Sequence, residues 1–130
     1  MYSQIVLSQP EGDINEDGML EAWEVMKLDL KADLVVLSAC DTARGKVGNG
    51  EGMIGLSWAF FVAGVPTTVA SQWSVDSAST TELMVEFHRN LERHMSKAES
   101  LRQAMLKLLR SKEYSRPFYW AAFVVVGNGR

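Results

Sequence analysis

The segment Leu34-Val-Val-Leu-Ser-Ala-Cys-Asp-Thr42 joins an apolar run to the single cysteine of the chain. The run Leu34–Leu37 is rich in β-branched residues, and this predicts a strand that is buried on both faces, as in a parallel sheet. In open α/β sheets, ligands bind at the carboxyl ends of the strands. Cys40 therefore stands where a nucleophile would act. The alternative is a small buried side chain, because free cysteine is often buried.

Strands and helices alternate on both sides of this segment. The order β-α-β-α-β-α-α-β predicts an α/β layered fold with a mainly parallel sheet and helices around it, in one domain over residues 1–130. The predicted strands are Ile5–Leu7, Leu34–Leu37, Pro66–Ser71 and Phe118–Val126, and the predicted helices are Leu20–Leu28, Met53–Ala63, one from Asp76 or Ser77 to about Met95, and one that starts after Ser96.

Local signals mark the ends and faces of these helices. Gly64 follows the second helix as a plausible C′ residue. Ser96 and Glu99 fit a capping box at the start of the fourth helix. In the third helix an apolar residue recurs every four positions, which predicts one buried stripe formed by Leu83, Phe87, Leu91 and Met95.

Composition narrows the class of protein. Hydrophobic residues make up 47% and charged residues 22% of the 130 positions, which is a globular balance, and the net charge is -3. No Lys/Arg cluster indicates nucleic-acid binding, and no apolar run is long enough for a membrane span. A single cysteine excludes an intramolecular disulfide and favours a reducing compartment. We expect a cytoplasmic protein without a cofactor or a metal.

One acidic segment gives a competing interpretation. Asp13-Ile-Asn-Glu-Asp-Gly-Met-Leu-Glu-Ala-Trp-Glu24 fits the calcium-loop pattern D-x-[DN]-x-[DN]-G-x5-E, with oxygens from Asp13, Asn15, Asp17 and Glu24. An EF-hand, however, needs a helix before its loop, whereas Tyr2–Gly12 has the pattern of a strand. A turn at Asp17-Gly18, with acidic residues at the start of the next helix, explains the same sequence. Calcium binding remains a minor alternative.

Several segments follow one another in a recognisable order. They are Leu34–Thr42, Gly50–Leu56, Ala59–Gly64, Val69–Trp73 with Asp76, and Arg116–Phe123 with Gly127. Together they resemble the C-terminal part of the CHAT domain, and the resemblance covers nearly the whole chain. This caspase-like cysteine-peptidase family is related to separase and is often attached to tetratricopeptide repeats. The resemblance implies a caspase-like fold and a peptide or protein as the substrate of the parent enzyme.

The resemblance also implies a role for each matching position. Cys40 matches the nucleophile, and its backbone N–H would form part of the oxyanion hole. Ser38 would line the pocket for the residue before the cut, and Gln72 and Trp73 would form another wall of that cleft. Asp76 could favour a basic side chain in the pocket, although an N-cap of the following helix explains it equally well.

Peptidases of this family use a Cys-His dyad, and the histidine lies in an H-x-G segment upstream of the part that this chain matches. The only histidines here are His88 and His94, both in the helix after Asp76 and neither in that context. We expect them to be ordinary helix residues. The sequence therefore predicts a partial domain, inactive when isolated. Its exposed sheet edge would pair with another chain and allow a homo-oligomer.

A non-catalytic module is the alternative from a different class of function. In this hypothesis the chain keeps the CHAT fold but binds or regulates a protein partner, with the tetratricopeptide-repeat region as one such partner. The presence of Cys40 in its motif favours descent from an active enzyme.

Overall fold

A computed structural model of the protein describes residues 4–8, 17–38 and 51–130. Strands and helices alternate along most of this part of the chain, as the sequence predicts. The strands are β1 (Gln4–Val6), β2 (Met19–Glu21), β3 (Val35–Leu37), β4 (Thr67–Ser71) and β5 (Phe123–Gly127), and the helices are α1 (Ala22–Val25), α2 (Glu51–Val62), α3 (Ser77–Glu92), α4 (Lys97–Leu109) and α5 (Pro117–Trp120).

The central sheet has the order β3-β4-β5. β3 and β4 are parallel, whereas β5 is antiparallel to β4. The α/β class is confirmed, but the described sheet is mixed and not mainly parallel. The reason is the helix pair between β4 and β5. α3 leads the chain away from the end of β4, and α4 brings it back to that end, so β5 starts beside Ser71 and runs in the opposite direction.

Two apolar cores cover the two faces of this sheet. α3 and α4 form the larger core, in which Leu83, Phe87 and Leu108 are fully buried together with Val69 of β4. α1 and α2 form the second core on the other face. β3 contributes to both because its side chains alternate, and it is partly buried on each face, less completely than its continuous apolar run predicts.

The predicted helix ends are confirmed by their hydrogen bonds. Ser96 caps α4, since its hydroxyl accepts from the Glu99 N–H at 3.2 Å. α2 ends in a Schellman motif in which Gly64 has a φ of 104° and the Val65 N–H donates to the Phe60 carbonyl at 2.9 Å. None of the helices in the described ranges has the length and apolar character that crossing a bilayer requires.

Two predicted elements were wrong in part. Leu20 was assigned to a helix but lies in β2, because it pairs with Ile5 of β1, and the helix α1 begins only at Ala22. The last strand was expected to begin at Phe118 but begins at Phe123. The residues before it form α5, because Pro117 is favoured at the first position of a helix and unfavourable inside a sheet.

The described part of the acidic segment forms a turn and a cap. The Asp17 carboxylate accepts from the Met19 N–H at 2.9 Å, and Gly18 has a φ of 73°. The Glu24 carboxylate accepts from the Glu21 N–H at 2.9 Å in a capping box of α1. The segment before the turn contains a strand, β1, where an EF-hand would have a helix. Asp13 and Asn15 lie outside the described residues. These contacts favour the turn over the calcium loop.

Candidate functional site

The carboxyl ends of β3 and β4 meet at one edge of the central sheet. Leu37, the last residue of β3, lies beside Ala70 of β4. Ser38 and Gln72 therefore leave the sheet at neighbouring points, and both side chains are exposed. The Gln72 N–H donates to the Ala122 carbonyl at 2.8 Å, so the pairing with the β5 segment extends beyond β4 itself. Two of the predicted pocket residues are brought together here.

Trp73 follows Gln72 at this edge. Its indole N–H donates to the Phe118 carbonyl of α5 at 3.2 Å, while 38% of the residue remains exposed. The sequence did not identify Phe118 as part of the site, because it was assigned to a strand. Pro117 was the available signal for a helix here, since proline is favoured at the first helical position.

α5 is itself held in place by aromatic contacts. The rings of Tyr119 and Tyr114 lie 5.4 Å apart, and the Trp120 indole N–H donates to the Ser115 carbonyl at 3.0 Å. Burial raises the pKa of Tyr114 above its usual value. α5, whose Phe118 carbonyl accepts from the Trp73 indole, is therefore held by contacts of its own.

Asp76 has a clear structural role. It is the N-cap of α3, and its carboxylate accepts from the Ser79 N–H at 2.9 Å. Of the two explanations that the sequence left open, the structure shows the cap. A carboxylate oxygen engaged in this way satisfies an N–H of the first turn. A preference for a basic substrate side chain at Asp76 stays a prediction.

The two histidines lie away from this edge. α3 starts beside the edge at Ser77, and a rise of about 1.5 Å per residue puts His88 about 16 Å farther along the helix. The Met84 carbonyl lies 2.8 Å from Nδ1 of His88. His94 follows the C-terminus of α3, with the backbone in the left-handed region at a φ of 61°. Both are exposed residues of α3 or its C-terminal end.

We expect His94→Gly to raise the free energy of unfolding by about 0.5–1 kcal/mol. His94 is the C′ residue of a Schellman motif, in which the Met95 N–H donates to the Asn90 carbonyl, and glycine adopts the left-handed conformation without strain. Urea denaturation measures the change. The matched control is His88→Gly in the middle of α3, which should lower the same quantity by about 0.5 kcal/mol. A destabilised His94→Gly protein would contradict the assignment.

Cys40 lies outside the described residues, and so its role and that of its backbone N–H stay predictions. The edge offers an exposed serine, an exposed amide and an indole. Within 4–8, 17–38 and 51–130, no group of three or more His, Cys, Asp or Glu side chains is arranged to hold a metal ion.

Comparisons with known proteins agree with the resemblance. The family model of the CHAT domain matches residues 1–128. Tetratricopeptide repeat protein 28 of Mus musculus and that of Homo sapiens are each 32% identical to the chain over 110 residues. The match covers 85% of this chain and 4% of each relative, so the chain corresponds to a small part of those proteins. No solved structure gives a significant match.

Proposed function

The chain belongs to the CHAT domain family, and we propose that it forms the nucleophile-bearing part of a caspase-like cysteine endopeptidase domain. The observation that carries the proposal is the shared edge of β3 and β4, where Ser38 and Gln72 follow the ends of neighbouring strands and the Trp73 indole donates to Phe118 of α5. Cys40 follows Ser38 by two residues, and covalent geometry keeps their Cα atoms within about 7 Å of each other. The nucleophile would therefore act beside this edge.

In this proposal the Cys40 thiolate attacks the carbonyl carbon of a peptide bond. The backbone N–H of Cys40 stabilises the developing oxyanion. The amine leaves with a proton from the general acid, and water then hydrolyses the thioester. Ser38 lines the pocket for the substrate residue before the cut, and Gln72 and Trp73 form its other wall. The indole suits this role because it offers an apolar face while its N–H is already bonded.

We propose that another segment supplies the base and that the 130 residues alone do not cleave peptides. The support for this is that His88 lies about 16 Å along α3 from its start and that His94 follows the end of that helix. Iodoacetamide labelling tests this, since the single cysteine makes the reaction specific. We expect labelling at the rate of a model thiol. Turnover of a peptide substrate by the isolated chain, lost in Cys40→Ala, would overturn this part of the proposal.

The full reading frame around Met1 provides the test of the enzyme. An H-x-G segment encoded upstream should accompany an active product that cleaves a protein substrate, and cleavage should disappear in both Cys40→Ala and the variant of that histidine. A matched Ser38→Ala variant should weaken cleavage without abolishing it. If the full-length product shows no cleavage, or cleaves equally well as Cys40→Ala, the proposal is overturned.

The second candidate is a non-catalytic interaction module, favoured by the name of the relatives. Both are tetratricopeptide repeat proteins, and we infer that the parent of this chain carries such repeats as a partner of the domain, in the cytoplasm. The two candidates separate in one experiment. If the chain is a module, the wild-type and Cys40→Ala proteins should bind the partner equally well, and the reading frame should lack the upstream H-x-G.

A further inference from the structure

α2 carries apolar side chains on its solvent side as well as on its buried side. Ala59, Phe60 and Ala63 belong to the core. On the other side an apolar row, here named the α2 stripe, consists of Ile54, Trp58, Phe61 and Val62, each between 49% and 62% exposed. A helix that is apolar all round is normally covered on all sides. The α2 stripe therefore has the composition of a surface that another polypeptide covers.

The α2 stripe continues onto the end of β5. Ile54, Trp58 and Phe61 line an open groove of about 240 Å³ together with Pro66 and Val126. The rings of Trp58 and Phe61 are stacked, with centroids 5.7 Å apart and planes at 28°. Val126 is itself 40% exposed. The patch is continuous across two elements and has an indentation into which a side chain can insert.

The size of the patch agrees with an interface between two chains. Taking about 200 Å² for a fully exposed side chain of this size, the exposed fractions of the α2 stripe and Val126 amount to about 500 Å². Two copies that cover each other would bury about 1,000 Å², the lower bound for a specific interface. Apolar patches of this size on soluble proteins are often functional.

We propose that the α2 stripe is a self-complementary surface on which a second copy of this chain docks. In a two-fold arrangement each stripe faces its own copy, which is the commonest form of dimer. Residues 52–62 contain no charged residue, so two copies meet without repulsion between like charges. The same feature argues against a membrane, because surfaces that bind bilayers carry Lys or Arg beside the apolar residues. This interface is separate from the sheet edge and does not rest on the proposed function.

Sedimentation equilibrium of the 130-residue chain tests the proposal, at about 1 to 300 μM, where an interface of this size should dissociate. A reducing agent excludes a disulfide through Cys40. We expect a monomer–dimer equilibrium in the wild-type protein. Trp58→Lys should weaken dimerisation by about tenfold or more, because a central aromatic residue is replaced by a charge that faces its own copy. Phe61→Lys is the second variant, in case the first fails to fold by circular dichroism.

Val85→Lys is the matched control. Val85 is 51% exposed on α3, which packs on the opposite face of the sheet, so the same kind of change should leave dimerisation unaltered. A monomer at every concentration would overturn the proposal. A dimer that persists in both lysine variants of the stripe would also overturn it and would indicate the sheet edge as the interface. Equal weakening of dimerisation by Val85→Lys would overturn it as well. Flotation of the chain with vesicles of phosphatidylcholine and phosphatidylserine, lost in Trp58→Lys without any dimer in solution, would assign the surface to a membrane.

Discussion

Phe87→Ala is expected to lower the free energy of unfolding by about 3–5 kcal/mol. Phe87 is fully buried in the core between α3, α4 and the sheet, where Leu83, Leu108 and Phe123 are also buried. Removing the ring loses the free energy that its burial away from water contributes. It also leaves a cavity that well-packed neighbours fill only in part. Urea denaturation followed by far-UV circular dichroism measures the loss.

The matched control for this change is Phe118→Ala in α5. Phe118 is 51% exposed, and its main-chain carbonyl, which accepts the indole N–H of Trp73, remains after truncation. Its ring is edge-on to that of Tyr119, so we expect a loss of at most about 1.5 kcal/mol. Equal losses for Phe87→Ala and Phe118→Ala would contradict the described core. The α3–α4 layer also supports β4, which ends beside Gln72, so Phe87 contributes to the candidate site through the sheet.

The periodic helices were the part of the fold that the sequence predicted best. The four-residue repeat on α3 placed Leu83 and Phe87 in the core, where both are fully buried. Asp76 and Ser96 were expected to cap helices and do so through their side-chain oxygens. These features are local, because a cap or a helical stripe depends on residues within a few positions. Met95 was less well predicted, since α3 ends before it and it is partly exposed.

The orientation of α2 against the sheet is not predictable from periodicity. It is apolar on every side, so the sequence predicts a helix but cannot tell which side faces the sheet. In the structure Phe60 lies in the core while Phe61 is exposed. Only the direction in which β4 continues after Gly64 decides between these neighbours. Tertiary context thus determines which aromatic residues remain on the surface.

The sequence and the resemblance named residues of the candidate site but not their contacts. The rule that ligands bind at the carboxyl ends of strands pointed to Cys40 after the first buried strand, and the resemblance named Ser38 and Gln72. The parallel pairing of β3 and β4 brings Ser38 and Gln72 to one edge of the sheet. The contact of Trp73 with Phe118 joins residues that are 45 positions apart. Such a contact depends on the direction of β5, which is set by the length of the α3–α4 pair, and no local pattern encodes it.

Gly127→Ala is expected to lower the free energy of unfolding by about 2–4 kcal/mol. Gly127 ends β5 with a φ of 98°, and a Cβ atom there would overlap the carbonyl oxygen of Pro66. That oxygen belongs to the backbone and already accepts from the Asn128 N–H at 2.9 Å. The added methyl group must therefore displace β5 from the start of β4. Urea denaturation measures the loss of stability.

Gly129→Ala is the control that separates this strain from the general effect of replacing a glycine. Its Cβ would meet a side chain, the methyl group of Ala98 at 3.1 Å, and its φ lies outside the left-handed region. A neighbour of this kind can move by a few tenths of an ångström, so we expect a change within about 1 kcal/mol. If Gly127→Ala were as mild as Gly129→Ala, β5 would not cross so close to Pro66. The groove beneath the α2 stripe would then have a different floor, since Pro66 and Gly127 both line it.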